Sequence, residues 1–583
     1  MGRYLEQDPQ QLGESMESTV DLLIENAKVY NAFTHSFTEK SVYIKDGRFL
    51  HISEGPAEGL SAIVRIDAKG MHMIPGLIDI HMHIESSMTV PGIFSDAVLP
   101  HGVTTVVADP HEIANVFGIE GIEAFMKEDT LLDIFYGIPS SVPSTSPMLE
   151  TTGGAIGTDE IRKLLSDPRV LCLGEVMNFK DIVSDEDSLS NRIIRICNEE
   201  RPTLAIEGHC PRVSGLDLSR FLYHGIDADH TQQSPESILE KISNGMFLEM
   251  QDKSLTPENI GVLNENSFYE HFALITDDVM ADRLLNGHLD RIVRKAIEYG
   301  LPAEKAIYAA TYTPARRMGL RDRGSITPGK LADFIFLEDL ELFRIKEVFK
   351  NGKKVERTKK DTYSHSFPER FLDSIRCRRA VSADFTIKSK ESGKALVNCI
   401  AIQKVGTFTS RIQKKVDIKD GCLDWEGSGS ALIAVMERYG KTGDIAYGLV
   451  ENAIHNKGAI ATTWAHDHHN VMVMGTSKED MAIAQNRLLD INGGYVVVEN
   501  GSVTAEVRLE VGGIVSLSPI DKLGRDLQNV REAMRRLGYD NTNEIMSFST
   551  LSLPVSPEIK ITDKGIMETR TQNIIPLIEK YID

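Results

Sequence analysis

Between residues 74 and 276 the chain repeats one pattern: a short, nearly all-apolar run, a polar or histidine-bearing closure, then a stretch with helical spacing. Eight such runs stand at 74–80, 103–108, 133–138, 170–174, 203–207, 225–228, 246–250 and 272–276. Continuous apolar runs, unlike alternating ones, predict strands buried on both faces. Helical patterning follows at 118–127, 159–165, 190–197, 215–222, 235–243 and 288–299. Strand and helix alternating in this way predict an α/β fold, a (β/α)8 TIM-like barrel over 73–324.

The flanks read differently. Short strand-like runs at 22–29, 41–44 and 49–52 are broken by Asn31, Asp46-Gly47 and Glu54-Gly55-Pro56. A late counterpart lies at 332–337 and 346–349, closed by the hairpin signal Asn351-Gly352. Segments 21–72 and 325–356 are therefore expected to join into one small β-sandwich flanking the barrel. Residues 1–20 form a polar N-terminal extension, and the charged, turn-rich 357–370 is the expected linker. Beyond it, 371–583 predicts a C-terminal α/β domain, with strands at 395–402, 494–499 and 503–508 and helices near 430–439 and 520–537.

In a parallel barrel the chemistry sits at the C-terminal ends of the strands. Residues two apart on a strand point to the same side, so His81 and His83 aim two imidazoles into one place. The second strand ends in Asp109, His111 and Glu112, the fourth in Glu175, the fifth in His209, the sixth in His230 and the eighth in Asp277-Asp278. The third and seventh end without a comparable donor. Four histidines, a glutamate and an aspartate converging there make a site for two divalent cations, with Glu175 placed to bridge them. A hydroxide held between two metals is a nucleophile near neutral pH, and Asp277 could act as general base and then general acid. Such donors suit Mn, Fe or Zn.

Structural alternatives stand beside these roles. Asp277 or Asp278 could cap the next helix, Asp278 being otherwise a substrate contact. Glu85, with Ser86-Ser87, is either a proton-transfer group or the cap of the first barrel helix. Asp109, His111 and Glu112 are either a turn and helix start or support for the metal histidines. His466, Asp467 and His469 are either a polar turn or a loop that reaches over the barrel mouth and holds a further metal.

Composition narrows the class. The chain has 583 residues, 41% hydrophobic and 26% charged, with a net charge of −21, which makes nucleic acid an unsuitable partner. No run of 18 apolar residues predicts a membrane span, and the first twenty residues lack a secretory apolar core. Six cysteines without a C-x-x-C pair suit a reducing, cytoplasmic setting. The His83-Ile84-Glu85 triplet lacks the P-C-x-x-C that would complete a cytidine-deaminase zinc signature. Gly440-Lys441-Thr442 lacks the first glycine of a P-loop, Val435 standing in its place.

The blocks PGLIDIHMHIESSM, LPHGVTTVVADPHEIANV, LGEVMNF, EGHCP, ADH, ITDD, NGHLD and AHDHHN resemble the bacterial adenine deaminase family of the amidohydrolase superfamily, from about residue 22 to the C-terminus. The resemblance implies metal ligation by His81, His83, Glu175, His209, His230 and Asp277, with Glu175 replacing the carbamylated lysine of many superfamily members. It implies hydrolytic deamination of adenine to hypoxanthine and ammonia with two Mn2+ or Fe2+ ions, or Zn2+. A homo-oligomer acting on a small nucleobase is expected. The sequence departs from the family at 231–233, 249–254 and 279–281, expected pocket-wall positions. Another aminopurine, a cyclic amide, or a catalytically silent binding protein are the alternatives.

Overall fold

A computed structural model describes residues 18–356, 363 and 365–582. Residues 1–17 of the expected extension, and 357–362 and 364 of the expected linker, lie outside the described residues. The extension ends sooner than expected, because the first strand already begins at Ser18.

Eight parallel strands carry the site: β1 (Leu77–Met82), β2 (Val103–Ala108), β3 (Asp133–Ile138), β4 (Val170–Val176), β5 (Ala205–Gly208), β6 (Ala228–Asp229), β7 (Phe247–Met250) and β8 (Phe272–Leu274). They form a curled five-stranded sheet, β5-β4-β3-β2-β1, and a three-stranded one, β6-β7-β8. Single backbone bonds cross the two seams: Asp227 N–H to Ile206 O at 3.2 Å and Asp277 N–H to His81 O at 3.1 Å. One or two α-helices follow each of the first seven strands, and four follow the eighth. Helix Pro235–Ser243 shows the local logic: Ser234 accepts from the Ser237 N–H and Pro235 occupies the first turn. Helices Pro91–Val98 and Pro257–Glu265 fill connections for which the spacing gave no bounds; in both, proline in the first turn marks a start rather than a break.

The first predicted strand proves to be two. His72–Pro75 pairs antiparallel with the Phe334–Asp339 strand of an outer sheet, and only Leu77–Met82 enters the parallel sheet. Between them the Gly76 N–H donates to Asp333 O at 2.9 Å. A Cβ at Gly76 would collide with the Thr104 side chain, so only glycine lets the chain step across here. The outer sheet has eight strands drawn from residues 18–75 and 334–354, which joins the two flanking fragments in one sheet.

The C-terminal region builds a ten-stranded sheet with helices Lys478–Asp490 and Ile520–Arg536. The helix expected near 430–439 is instead the strand Ala431–Met436, paired with Ile445–Glu451 and Val471–Gly475. Its six residues are all buried, and so short an apolar run carries no period that separates strand from helix. The region packs directly on the parallel sheet's connections. Asp563 accepts from Thr151 N–H (2.9 Å) and Oγ1 (2.6 Å), Arg531 Nε donates to Asp282 (2.7 Å), and Phe371 stacks on Phe117. All six cysteines are free. Among the described residues no helix is long and apolar enough to cross a membrane.

Candidate active site

The six residues expected to converge do so at the C-terminal ends of the parallel strands. Glu175 is the hub: its Oε2 lies 2.9 Å from His209 Nδ1 and 3.2 Å from His230 Nε2, and its Oε1 lies 3.6 Å from His83 Nε2. Asp277 Oδ1 lies 3.5 Å from His83 Nε2. The rings of His81 and His230 stack with centroids 3.9 Å apart. Donor atoms of His81, Glu175 and His230, of His81, His83 and Asp277, and of His83, His111 and Glu175 each fall within 4.8 Å of one another. Each of these three overlapping donor groups in one buried space could hold a divalent metal ion.

Local chemistry holds these groups in place. His83 Nδ1 meets the Asp109 carbonyl at 3.0 Å, and Asp109 Oδ2 accepts the Glu175 N–H at 3.0 Å, so one residue of strand β2's exit orients two others. A Cβ at Gly174 would overlap the Asp109 carboxylate, which explains the glycine before Glu175. Asp277 sits at φ +60°, a left-handed conformation that aspartate adopts at modest cost. Its Oδ2 accepts from Gln251 Nε2 at 2.8 Å. It is not a helix cap: Met280 takes that position for Ala281–Leu284.

Electrostatics reinforce the reading of this space as a cation site. Burial alone would push Glu175 up, but His230 and His209 hold it well below the usual carboxylate range. Burial likewise opposes ionisation of Asp277, and its hydrogen bond with His83 prevails. His81 is lowered to about 4 by burial and by His230 beside it, leaving its imidazole neutral and able to donate a lone pair. His81 Nε2 and His230 Nδ1 are buried without a hydrogen-bond partner. Donor set, burial and unpartnered nitrogens together fit a divalent metal centre.

Other expected residues surround these six. Glu85 stands outside the donor groups; its Oε1 accepts the Ile113 N–H at 3.1 Å, so it supports the helix after β2 rather than the first barrel helix. Burial pushes its carboxyl up to about 7. Asp278 is half-buried and accepts from Ser86 Oγ at 2.5 Å. His111 faces the hub, with Nδ1 3.8 Å from Glu175 Oε1. Glu112, His466, Asp467 and His469 gather beside it, Glu112 meeting both His466 and His469.

Two features differ from the sequence reading. Strand β7 does carry an acid toward the site: Glu249 Oε2 lies 3.1 Å from His81 Nδ1. An acid inside the otherwise apolar FLEM strand was the available signal, one residue short of the strand's end. Within the departure at 231–233, Thr231 Oγ1 (2.8 Å) and Gln233 Nε2 (2.5 Å) both donate to Asp229 Oδ2, while Gln232 is exposed. Gln251, within the second departure, instead orients Asp277, and Met280, within the third, packs its sulfur on Arg531.

A histidine and carboxylate cluster at the ends of curled parallel strands is the arrangement of amidohydrolases, and the Amidohydrolase family profile matches residues 72–201 and 241–355. The Adenine deaminase C-terminal domain profile matches 406–573. An adenine deaminase of Clostridium perfringens is 54% identical over 96% of this chain and 99% of its own. Adenine deaminase 2 of Oenococcus oeni is 51% identical, covering 96% and 98%, and an adenine deaminase of Lactobacillus delbrueckii subsp. bulgaricus 48%, covering 96% and 99%. The chain belongs to the adenine deaminase family.

Proposed function

We propose that this protein hydrolyses adenine to hypoxanthine and ammonia, at a pair of divalent cations held in the mouth of a closed (β/α)8 barrel. The barrel would span 73–324, flanked by the outer sheet of 21–72 and 325–356 and by the C-terminal domain of 371–583. The observation that carries the reading is the meeting of the six expected donors, His81, His83, His209 and His230 around Glu175 and Asp277 joined through His83, in a chain about half identical to adenine deaminases over nearly its full length. His81, His83, His209 and His230 would hold the cations with Glu175 and Asp277, Glu175 bridging. Mn2+ or Fe2+ suits this mixture of imidazole and carboxylate. When bound, the metals supply Lewis-acid activation of a water.

Deamination needs a group that removes a proton from the attacking water and delivers one to the departing amine. Asp277 is that group: Gln251 fixes one oxygen, and the other remains directed at His83 among the donors. Asp109 fixes the tautomer of His83 through its carbonyl and the position of Glu175 through its carboxylate. Glu249 orients His81 in the same way from strand β7. With Thr231 and Gln233 both held by Asp229, that departure leaves the adenine reading standing.

The test is metal-reconstituted full-length protein assayed for ammonia release from adenine, other aminopurines and cyclic amides. Adenine is expected to exceed every other ring by at least about 100-fold in kcat/KM, about 2.7 kcal/mol. Faster turnover of another ring, or no ammonia from a protein holding its metals, would overturn the proposal.

A further inference from the structure

A second donor cluster lies beside the first, where the C-terminal sheet meets the connection after β2. His111 and Glu112 open the helix His111–Phe117, and His466, Asp467 and His469 lie in the turn between strands Gly458–Thr462 and Val471–Gly475. Glu112 and His469 are 357 positions apart in the chain, yet Glu112 Oε2 contacts His469 Nε2 while its Oε1 contacts His466 Nδ1. His111 Nε2 lies 3.6 Å from Glu112 Oε1, and His466 Nδ1 lies 3.3 Å from Asp467 Oδ1. Donor atoms of His111, Glu112 and Asp467 fall within 4.8 Å of one another. All five residues are at most 5% exposed, and Asp467 Oδ2 is buried with no hydrogen-bond partner.

Charge sets this cluster apart from those buried acids that are neutralised by lysine or arginine. Asp229 is paired with Lys241, Asp333 with Lys350, Glu207 with Arg317, and Asp282 and Glu544 with Arg531. Among the described residues Glu112 and Asp467 have histidines alone within ion-pair distance. Two carboxylates buried without a fixed cation are costly unless something positive joins them. Imidazole and carboxylate donors around that charge select a divalent transition metal over Ca2+ or Mg2+.

We propose that His111, Glu112, His466, Asp467 and His469 form a third metal site, separate from the pair around Glu175. His111 stands between the two, its Nδ1 facing Glu175 and its Nε2 facing Glu112. A cation here ties the 463–470 turn to the barrel mouth. The site covers the mouth with the C-terminal domain and gives that domain a structural reason to be part of the enzyme.

The experiment strips full-length protein with a chelator, reloads it with Mn2+, removes free metal and counts manganese per chain. Three are expected in the native protein, and two in Glu112→Gln. If Glu112→Gln does not fold, His469→Gln is expected to give the same count. Hydrogen exchange across 463–470 should slow on Mn2+ addition in the native protein and not in the variant. A native count that stops at two, or a variant that keeps three, overturns the third site. A Glu175→Ala protein that keeps one Mn2+, lost on adding Glu112→Gln, supports it independently of the pair and of the reaction.

Discussion

The two ends of the parallel strands use the same acids with opposite partners. At the N-terminal ends, Asp133 opens β3 and accepts from Arg323 Nη1 and Lys350 Nζ, both at 2.6 Å. Lys350 also reaches Asp333 at 2.6 Å, and Arg317 clamps Asp227 ahead of β6. At the C-terminal ends, Glu175 and Asp277 have imidazoles as their ion-pair partners among the described residues. Arginine and lysine hold their charge at every physiological pH, so the lower ends are fixed struts. Imidazoles yield a proton or a lone pair near neutrality, so the upper ends can exchange protons for metal. One layer is built to hold charge fixed and the other to exchange protons, by choice of partner.

The largest break in that contrast is Glu175→Ala. Removing the hub should abolish metal pairing and lower turnover by at least about 10^4-fold, more than 5 kcal/mol of transition-state stabilisation. Metal analysis and ammonia release check it, with circular dichroism expected to stay native. The matching break at the other end is Lys350→Met. It leaves Asp333 buried without its cation and should cost about 3 kcal/mol of stability, read in urea, with metal content and kcat of the folded protein unchanged. Loss of metal there would refute the division of labour.

A subtler variant sharpens the picture. Gly174→Ala forces Asp109 away from the Glu175 N–H and should lower kcat by about 10- to 100-fold while retaining metal. A wild-type rate would show that Asp109 does not position Glu175.

The smallest effect concerns a buried lysine that lacks such a strut. Lys560 is buried, its ammonium donates among the described residues to Thr407 O alone at 2.8 Å, and burial lowers it to about 7. Its unfolded value is near 10.5, so between those limits the unfolded chain binds more protons and stability rises with pH. Lys560→Met should remove that rise between pH 7 and 10.5 and add about 1 kcal/mol at pH 7, visible as a higher melting temperature. A pH slope that survives the substitution would refute the assignment.

Much of the parallel sheet was legible because burial writes itself into composition: VTTVVA and DIFYGI begin and end where β2 and β3 do. The donors were legible for the same reason, since a histidine or acid closing an apolar run has few structural uses. The Ala431–Met436 strand was not legible, because six buried residues satisfy either period and neighbouring strands decide. Nor was Glu85's attachment to the Ile113 N–H, as the local cap it resembled lay closer in sequence.

By itself, then, the order of residues determined which strands are buried, that His81 and His83 share a side, and that acids and imidazoles gather at one end. Those are consequences of period and burial, which act locally. Only the tertiary structure decided that Glu249 meets His81, that Gln251 holds Asp277, and that Glu112 reaches His466 and His469 across the whole chain. Such meetings depend on how separate layers pack, and packing between distant segments leaves no periodic trace in either of them.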